Sequence, residues 1–193
     1  MAALSIVVAL AAQVQVVSTL GTLNWANFFS YFTVESNVAA VFVLLCLEFS
    51  NDTVLHRLAT RLRGPVTLYM VMTGVIYNAL LAPASADVSI TATWTDLIVH
   101  TFGPLLMLVD WLLAPPPQRP RVRHIPGWLA FPMVYVAYSL IRGSIANWYP
   151  YPFFNPNLDG GAGKVAIAIA VLMPAVALIA LGLVKLARNP KPS

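Results

Sequence analysis

Charge is what this 193-residue chain has least of: Asp, Glu, Lys and Arg make up 9% of it, against about a quarter in a soluble domain. Hydrophobic residues account for 59% and the mean hydropathy is +0.77, so much of the surface has to face lipid. Cysteine is nearly absent as well. Cys46 alone closes no internal disulfide, and no Cys/His cluster has the spacing of a structural metal site. The chain has no CxxC pair and no GxSxG element, which argues against a thiol–disulfide enzyme and a nucleophile-elbow hydrolase. One histidine inside an apolar stretch is too few for two bis-His haems. No metal and no cofactor is therefore expected. The net charge of +4 is not a nucleic-acid footprint, because the basic residues fall in three short segments between or after apolar runs.

What is present is length of apolar sequence. Crossing about 30 Å of hydrocarbon takes roughly 20 apolar residues, and six stretches qualify: Ala3–Leu20, Phe29–Phe49, Pro65–Ala82, Trp94–Ala114, Trp128–Trp148 and Lys164–Ala187. The expectation is an all-α polytopic membrane protein, a six-helix bundle forming one domain over residues 1–193, with no soluble domain and no internal repeat. The first stretch lacks the basic n-region of a signal peptide and reads as a retained helix. Segments 50–64, 83–93, 115–127 and 149–163 read as loops. Pro132 and Pro174 fall inside helices five and six, and the alternating small and branched residues Val165–Ala170 permit close helix approach in lipid.

Nine of the eleven basic residues lie in the 50–64 segment, the 115–127 segment or the tail with Lys185, Arg188 and Lys191. The positive-inside rule then places both termini in the cytoplasm. In that topology Thr33, Glu35, Asn37, Asn78, Asp96, His100 and Arg142 share the outer half of the membrane. Intramembrane polar groups are expensive, and their gathering at one depth marks a candidate site.

Helix spacing sharpens the picture. Asp96, His100, Gly103, Met107 and Asp110 follow at intervals of four, three, four and three, on one helical face. Asp96 is one turn from His100 and would orient its ring. Thr33 and Asn37 share a stripe on the second helix. A threonine hydroxyl is a weak nucleophile until a base removes its proton, and a histidine backed by a carboxylate is such a base. Asn37, Tyr77, Asn78 and Arg142 are candidate oxyanion or substrate contacts, and Arg142 needs an anion, with Asp96, Glu35 or a substrate carboxylate as choices. The same residues would also serve a lipid-binding protein or a proton-coupled small-solute transporter, although no inverted repeat supports the latter. A structural subunit of a larger complex is a third reading.

Several segments carry a family resemblance: Tyr31-Phe32-Thr33 leading to Ser36-Asn37; Val66-Thr67-Leu68-Tyr69 with Gly74-Val75-Ile76-Tyr77-Asn78; Asp96 to Thr101 with Pro104 and Asp110-Trp111; Ile141-Arg142-Gly143; and Trp148 to Phe153. In order and spacing the chain resembles the bacterial integral-membrane branch of the androgen-induced protein family. The animal members are transmembrane threonine hydrolases of fatty acid esters of hydroxy fatty acids. The resemblance implies a threonine nucleophile at Thr33, an essential histidine at His100, a lipid or fatty-acid ester as substrate and a bacterial inner membrane as location. The Trp148–Phe153 element, with Trp148 and Tyr149 as candidate contacts, either lines an entrance or anchors the fifth helix among headgroups.

Overall fold

The computed structural model describes residues 2–50, 54–82, 93–114, 116 and 118–187. The loop expected at 83–93 lies almost wholly outside them, as do Pro115, Pro117, Arg188 and Lys191. Among the described residues every regular element is helical. Six helical units are long and apolar enough to cross a membrane: Ala2–Thr19, Phe32–Phe49, Val54–Leu81, Thr93–Leu113, Val122–Ala146 and Gly161–Leu186. Even the shortest, at 18 residues, reaches roughly 27 Å at 1.5 Å per residue. The protein is an all-α multi-pass membrane bundle.

The units are built from eight α-helices. Helix α1 is Ala2–Thr19, α2 the short Trp25–Phe28, α3 Phe32–Phe49 and α4 Val54–Ile76; α5 Thr93–Leu97 and α6 Gly103–Leu113 form one span, and α7 is Ile125–Ala146 and α8 Gly161–Leu186. Helix α4 starts 11 residues before the expected Pro65, so most of the 50–64 segment is helix rather than loop. Proline removes one N–H and crowds the preceding turn. On either side of it threonine hydroxyls bond back to the helix: Thr60 Oγ1 donates to the His56 carbonyl at 2.8 Å and Thr67 Oγ1 to that of Arg63 at 2.8 Å. Helices α7 and α8 likewise run through Pro132 and Pro174.

Outward faces are strongly apolar. Ile145 is 80% exposed and Leu178 68%, which water would penalise at about 25 cal/mol per Å² and lipid does not. Inside, Ala40, Val43, Leu68, Met70, Met107 and Trp111 pack as a core. Close approach depends on glycine at two positions. A Cβ on Gly64 would lie 2.5 Å from the Trp128 ring, and one on Gly74 would lie 3.0 Å from Pro104 and 3.2 Å from the His100 carbonyl.

Two spans change pitch where they meet. Tyr77–Leu81 at the end of α4 and Ile98–Phe102 between α5 and α6 are π-helical turns. Each inserts a residue into the helical register, a local distortion that clusters at functional sites.

Candidate functional site

One end of the bundle is set by the start of α3, the π turn after α4, the start of α5, the end of α7 and the loop after it. A cavity of about 460 Å³ opens there, lined by Gln13, Thr33, Tyr77, Asp96, His100 and Tyr151, with Tyr31, Trp148 and Pro150 at its margin. A smaller apolar slot of about 40 Å³ shares Thr33, Tyr77, Leu81 and Tyr151 with it and continues between Met72, Ile76, Val136 and Met173.

Thr33 occupies the first turn of α3, where backbone N–H groups have no intrahelical acceptor. The N-cap residue, Tyr31, gives no side-chain cap. Two tyrosines from elsewhere in the chain do the work. The Phe32 N–H donates to the Tyr135 hydroxyl at 3.2 Å, and Tyr135 in turn donates to the Ser30 carbonyl at 2.8 Å. The Thr33 N–H donates to the Tyr151 hydroxyl at 3.4 Å, and Thr33 Oγ1 lies 3.5 Å from the same oxygen. Both contacts are long. Tyr151 is 9% exposed, and burial pushes its phenol up to about 12, so the hydroxyl keeps its proton across the neutral range. Burial also raises the Tyr31 phenol above its ordinary value.

His100 sits in the second π turn. Nδ1 is 3.2 Å from the Asp96 carbonyl and 3.8 Å from Asp96 Oδ1, so these two acceptors both lie on the Nδ1 side of the ring. The ring is stacked on Tyr77, centroids 3.6 Å apart and planes 7° from parallel. Gln13 of α1 donates to Asp96 Oδ1 at 3.4 Å. The hydrogen bond from this side of the ring goes to the Asp96 carbonyl, one helical turn back, and the Asp96 carboxylate stands off at 3.8 Å. Thr33 and His100 face the same cavity, and no hydrogen bond joins them directly.

Other expected contacts have different positions. Asn37 is fully buried, and its Nδ2 is spent on the Thr33 carbonyl at 2.8 Å and the Val99 carbonyl at 3.1 Å. Asn78 Nδ2 is spent on the carbonyls of Gly74 at 2.9 Å and His100 at 3.2 Å, with Thr101 Oγ1 at 3.4 Å. Neither asparagine lines the cavity. They are clips that tie the backbones of Thr33 and His100 to neighbouring helices, and an amide with its donors so committed is no oxyanion donor.

Arg142 makes no ion pair with Asp96 or Glu35. Its Nη2 donates to Asn27 Oδ1 at 2.6 Å and its guanidinium lies 4.9 Å from the Trp148 ring centroid, behind the cavity wall. Arg142 Nη1 and Glu35 Oε2 are buried without a hydrogen-bond partner. Tyr149 supports the wall from outside, its ring seated on Gly143, where a Cβ would come within 2.1 Å of it. Trp148 does line the cavity, together with Pro150, Tyr151 and Pro152. The loop after α7 thus lies beside Thr33 as part of the cavity wall.

Sequence reasoning missed Gln13, Tyr31 and Tyr151. Only the position of Tyr151 in the aromatic Trp148–Phe153 element signalled it. Among the described residues, no three His, Cys, Asp or Glu side chains converge as a metal centre would need. No protein-family model, curated protein or solved structure matches this chain.

Proposed function

We propose that this cavity is the active site of a metal-independent intramembrane hydrolase of lipid esters. The observation that carries the reading is a threonine hydroxyl and an imidazole lining one cavity, the imidazole Nδ1 resting on the Asp96 carbonyl, with an apolar slot beside the threonine. Thr33 Oγ1 attacks the ester carbonyl carbon while His100 Nε2 takes its proton. The tetrahedral intermediate collapses, the C–O bond to the alcohol breaks, and His100 returns the proton to the leaving oxygen. Water then attacks the acyl-threonine with His100 again as base, releasing the fatty acid and restoring Thr33.

The developing oxyanion needs donors. The Tyr151 hydroxyl is the one held against Thr33, and its long contacts leave it free to turn toward a substrate oxygen. The slot beside Thr33 suits an acyl chain. Thr33 and His100 need no direct hydrogen bond before substrate lies between them, since catalytic contacts often tighten only around substrate. The resemblance to the androgen-induced protein family supports the same pair of residues. With the charge pattern, it also supports a bacterial inner-membrane location with both termini cytoplasmic and the cavity in the outer half. A lipid-binding or proton-coupled transport protein is the alternative use of the pocket.

The test is turnover of a fluorogenic medium-chain ester by detergent-purified protein. Thr33→Ala and His100→Ala are each expected to lower the rate per folded molecule by at least roughly 10²-fold. Full turnover in Thr33→Ala would refute the assignment.

A further inference from the structure

Nine of the eleven basic residues are remote from the Thr33 cavity. Arg57, Arg61, Arg119, Arg121 and Arg123 line a separate cavity at the opposite end of the bundle, where Arg63 Nε donates to Asp110 Oδ2 at 2.7 Å. Lys185 lies in the last turn of the 26-residue helix α8, toward that same end. Arg188 and Lys191 follow it in sequence. Four residues of chain past Ala187 reach roughly 14 Å, against roughly 39 Å for the length of α8. Only Arg142 and Lys164 remain. Lys164 is exposed and no part of the lining, and Arg142 is engaged with Asn27 Oδ1 and the Trp148 ring. Among the described residues, then, no Lys or Arg lines the cavity. Residues 83–92, outside the described residues and next to α5 in sequence, contain Asp87 and no Lys or Arg either.

The polar lining is instead made of amides and one acid: Gln13, Asn24, Asn27 and Asp96. Their partners fix which way each amide points. Gln13 Nε2 donates to Asp96 Oδ1 at 3.4 Å, Asn24 Oδ1 accepts the Asn27 N–H at 3.1 Å, and Asn27 Oδ1 accepts from Arg142 at 2.6 Å. That leaves an acceptor, Gln13 Oε1, and two donors, the Nδ2 groups of Asn24 and Asn27, with no hydrogen bond among the described residues. Hydroxyl groups both donate and accept, so they match such a mixed set. A carboxylate or phosphate only accepts, and it would face Asp96 with no cation beside it. A cationic head would find Asp96 already bonded to Gln13, and Trp148 already 4.9 Å from a guanidinium. On the far side of Thr33 the slot between Met72, Ile76, Val136 and Met173 offers a hydrocarbon chain an apolar wall.

We infer that the molecule taken up here is an uncharged acylated polyol. Its acyl chain lies in the slot, its ester at Thr33, and its glycerol- or sugar-type hydroxyls against Gln13, Asn24 and Asn27. Naming this molecule the substrate rests on the hydrolase reading, whereas its fit to the cavity does not.

The test uses the full chain in phosphatidylcholine nanodiscs and octyl glyceryl ether, which cannot be hydrolysed, with a diazirine at the end of its alkyl chain. After photolysis, adducts mapped by mass spectrometry are expected on slot residues such as Met72, Val136 or Met173. The competitors are unlabelled octyl glyceryl ether, its counterpart with a carboxylate in place of the terminal hydroxymethyl group, and octyl choline ether. Each charged competitor should need about ten times the concentration of the neutral ether, or more, to suppress the adducts. Gln13→Leu/Asn27→Leu should cut the advantage of the glyceryl ether over octyl methyl ether by about tenfold. A charged competitor that equals the neutral ether would overturn the inference, as would no adducts in the slot or an unchanged advantage in the double variant. Turnover is scored separately, with octanoylglycerol and a carboxylate-bearing octanoyl ester. Selective slot labelling without turnover would refute the hydrolase reading and leave this inference standing. Turnover that favours the carboxylate-bearing ester would refute this inference and leave the hydrolase.

Discussion

At the Thr33 end of the bundle the polar side chains are mostly uncharged and engage one another at 2.7–3.5 Å: tyrosine hydroxyls on helix N–H groups, asparagine amides on carbonyls, a glutamine on Asp96. At the Arg63 end they are cations, of which one is neutralised by Asp110 and five surround an open cavity. The contrast follows from burial. Neutral groups buried in a bundle mostly find hydrogen-bond partners, as the clips behind Thr33 and His100 do, although Asn37 Oδ1 stays without one. Most cationic side chains of the other end keep to its surface, and the buried Arg63 meets Asp110.

The sharpest way to break the first end is through its wall. Gly143→Ala would drive a methyl into the Tyr149 ring at 2.1 Å, and the cost is expected to be about 2 kcal/mol or more. The midpoint of thermal unfolding should fall, and ester turnover should fall with it because the loop carrying Tyr151 is displaced. Gly163→Ala, where no atom lies within 4 Å of the added Cβ, should do neither.

The second end breaks at the Arg63–Asp110 ion pair. Arg63→Gln removes a buried guanidinium bound to Asp110 at 2.7 Å and to its carbonyl. A loss of about 1–3 kcal/mol is expected, tempered because Asp110 keeps 39% of its side chain exposed. Chemical denaturation should report that loss while the rate per folded molecule at the Thr33 end is unchanged. A collapse of activity without a loss of stability would contradict the separation of the two ends.

The smallest effect on stability is expected from Tyr151→Phe. Its contacts with Thr33 are 3.4 and 3.5 Å long, so less than about 1 kcal/mol should be lost. Turnover should nevertheless drop by roughly 10-fold to 100-fold, the effect of removing an oxyanion donor. Equal rates for Tyr151→Phe and wild type would leave the hydroxyl a cap for α3 and nothing more.

The six spans were readable because apolar length is dictated by hydrocarbon thickness, and this chain carries too little charge to blur them. Thr33, Asp96 and His100 were readable because polar residues in such spans are rare and helical spacing orders them. The start of α4 was not, since basic residues followed by Pro65 look like a loop, whereas the helix runs from Val54 straight through the proline. The roles of Asn37 and Asn78 were also hidden: an amide that clips two helices and one that faces a substrate have the same letter and the same depth. Tyr151 was hidden by distance, because it meets Thr33 across 118 residues of chain. The π turns, which bring Tyr77 flat against His100, leave no periodicity of their own to read.

The most direct test of the central claim is covalent labelling by a fluorophosphonate probe, with the modified residue mapped by mass spectrometry. A single adduct on Thr33 is expected in the wild type, lost in Thr33→Ala and in His100→Ala while both variants still unfold cooperatively. Well-folded wild-type protein that takes up no probe, or labelling that persists in His100→Ala, would contradict an activated threonine and leave the cavity to binding or transport.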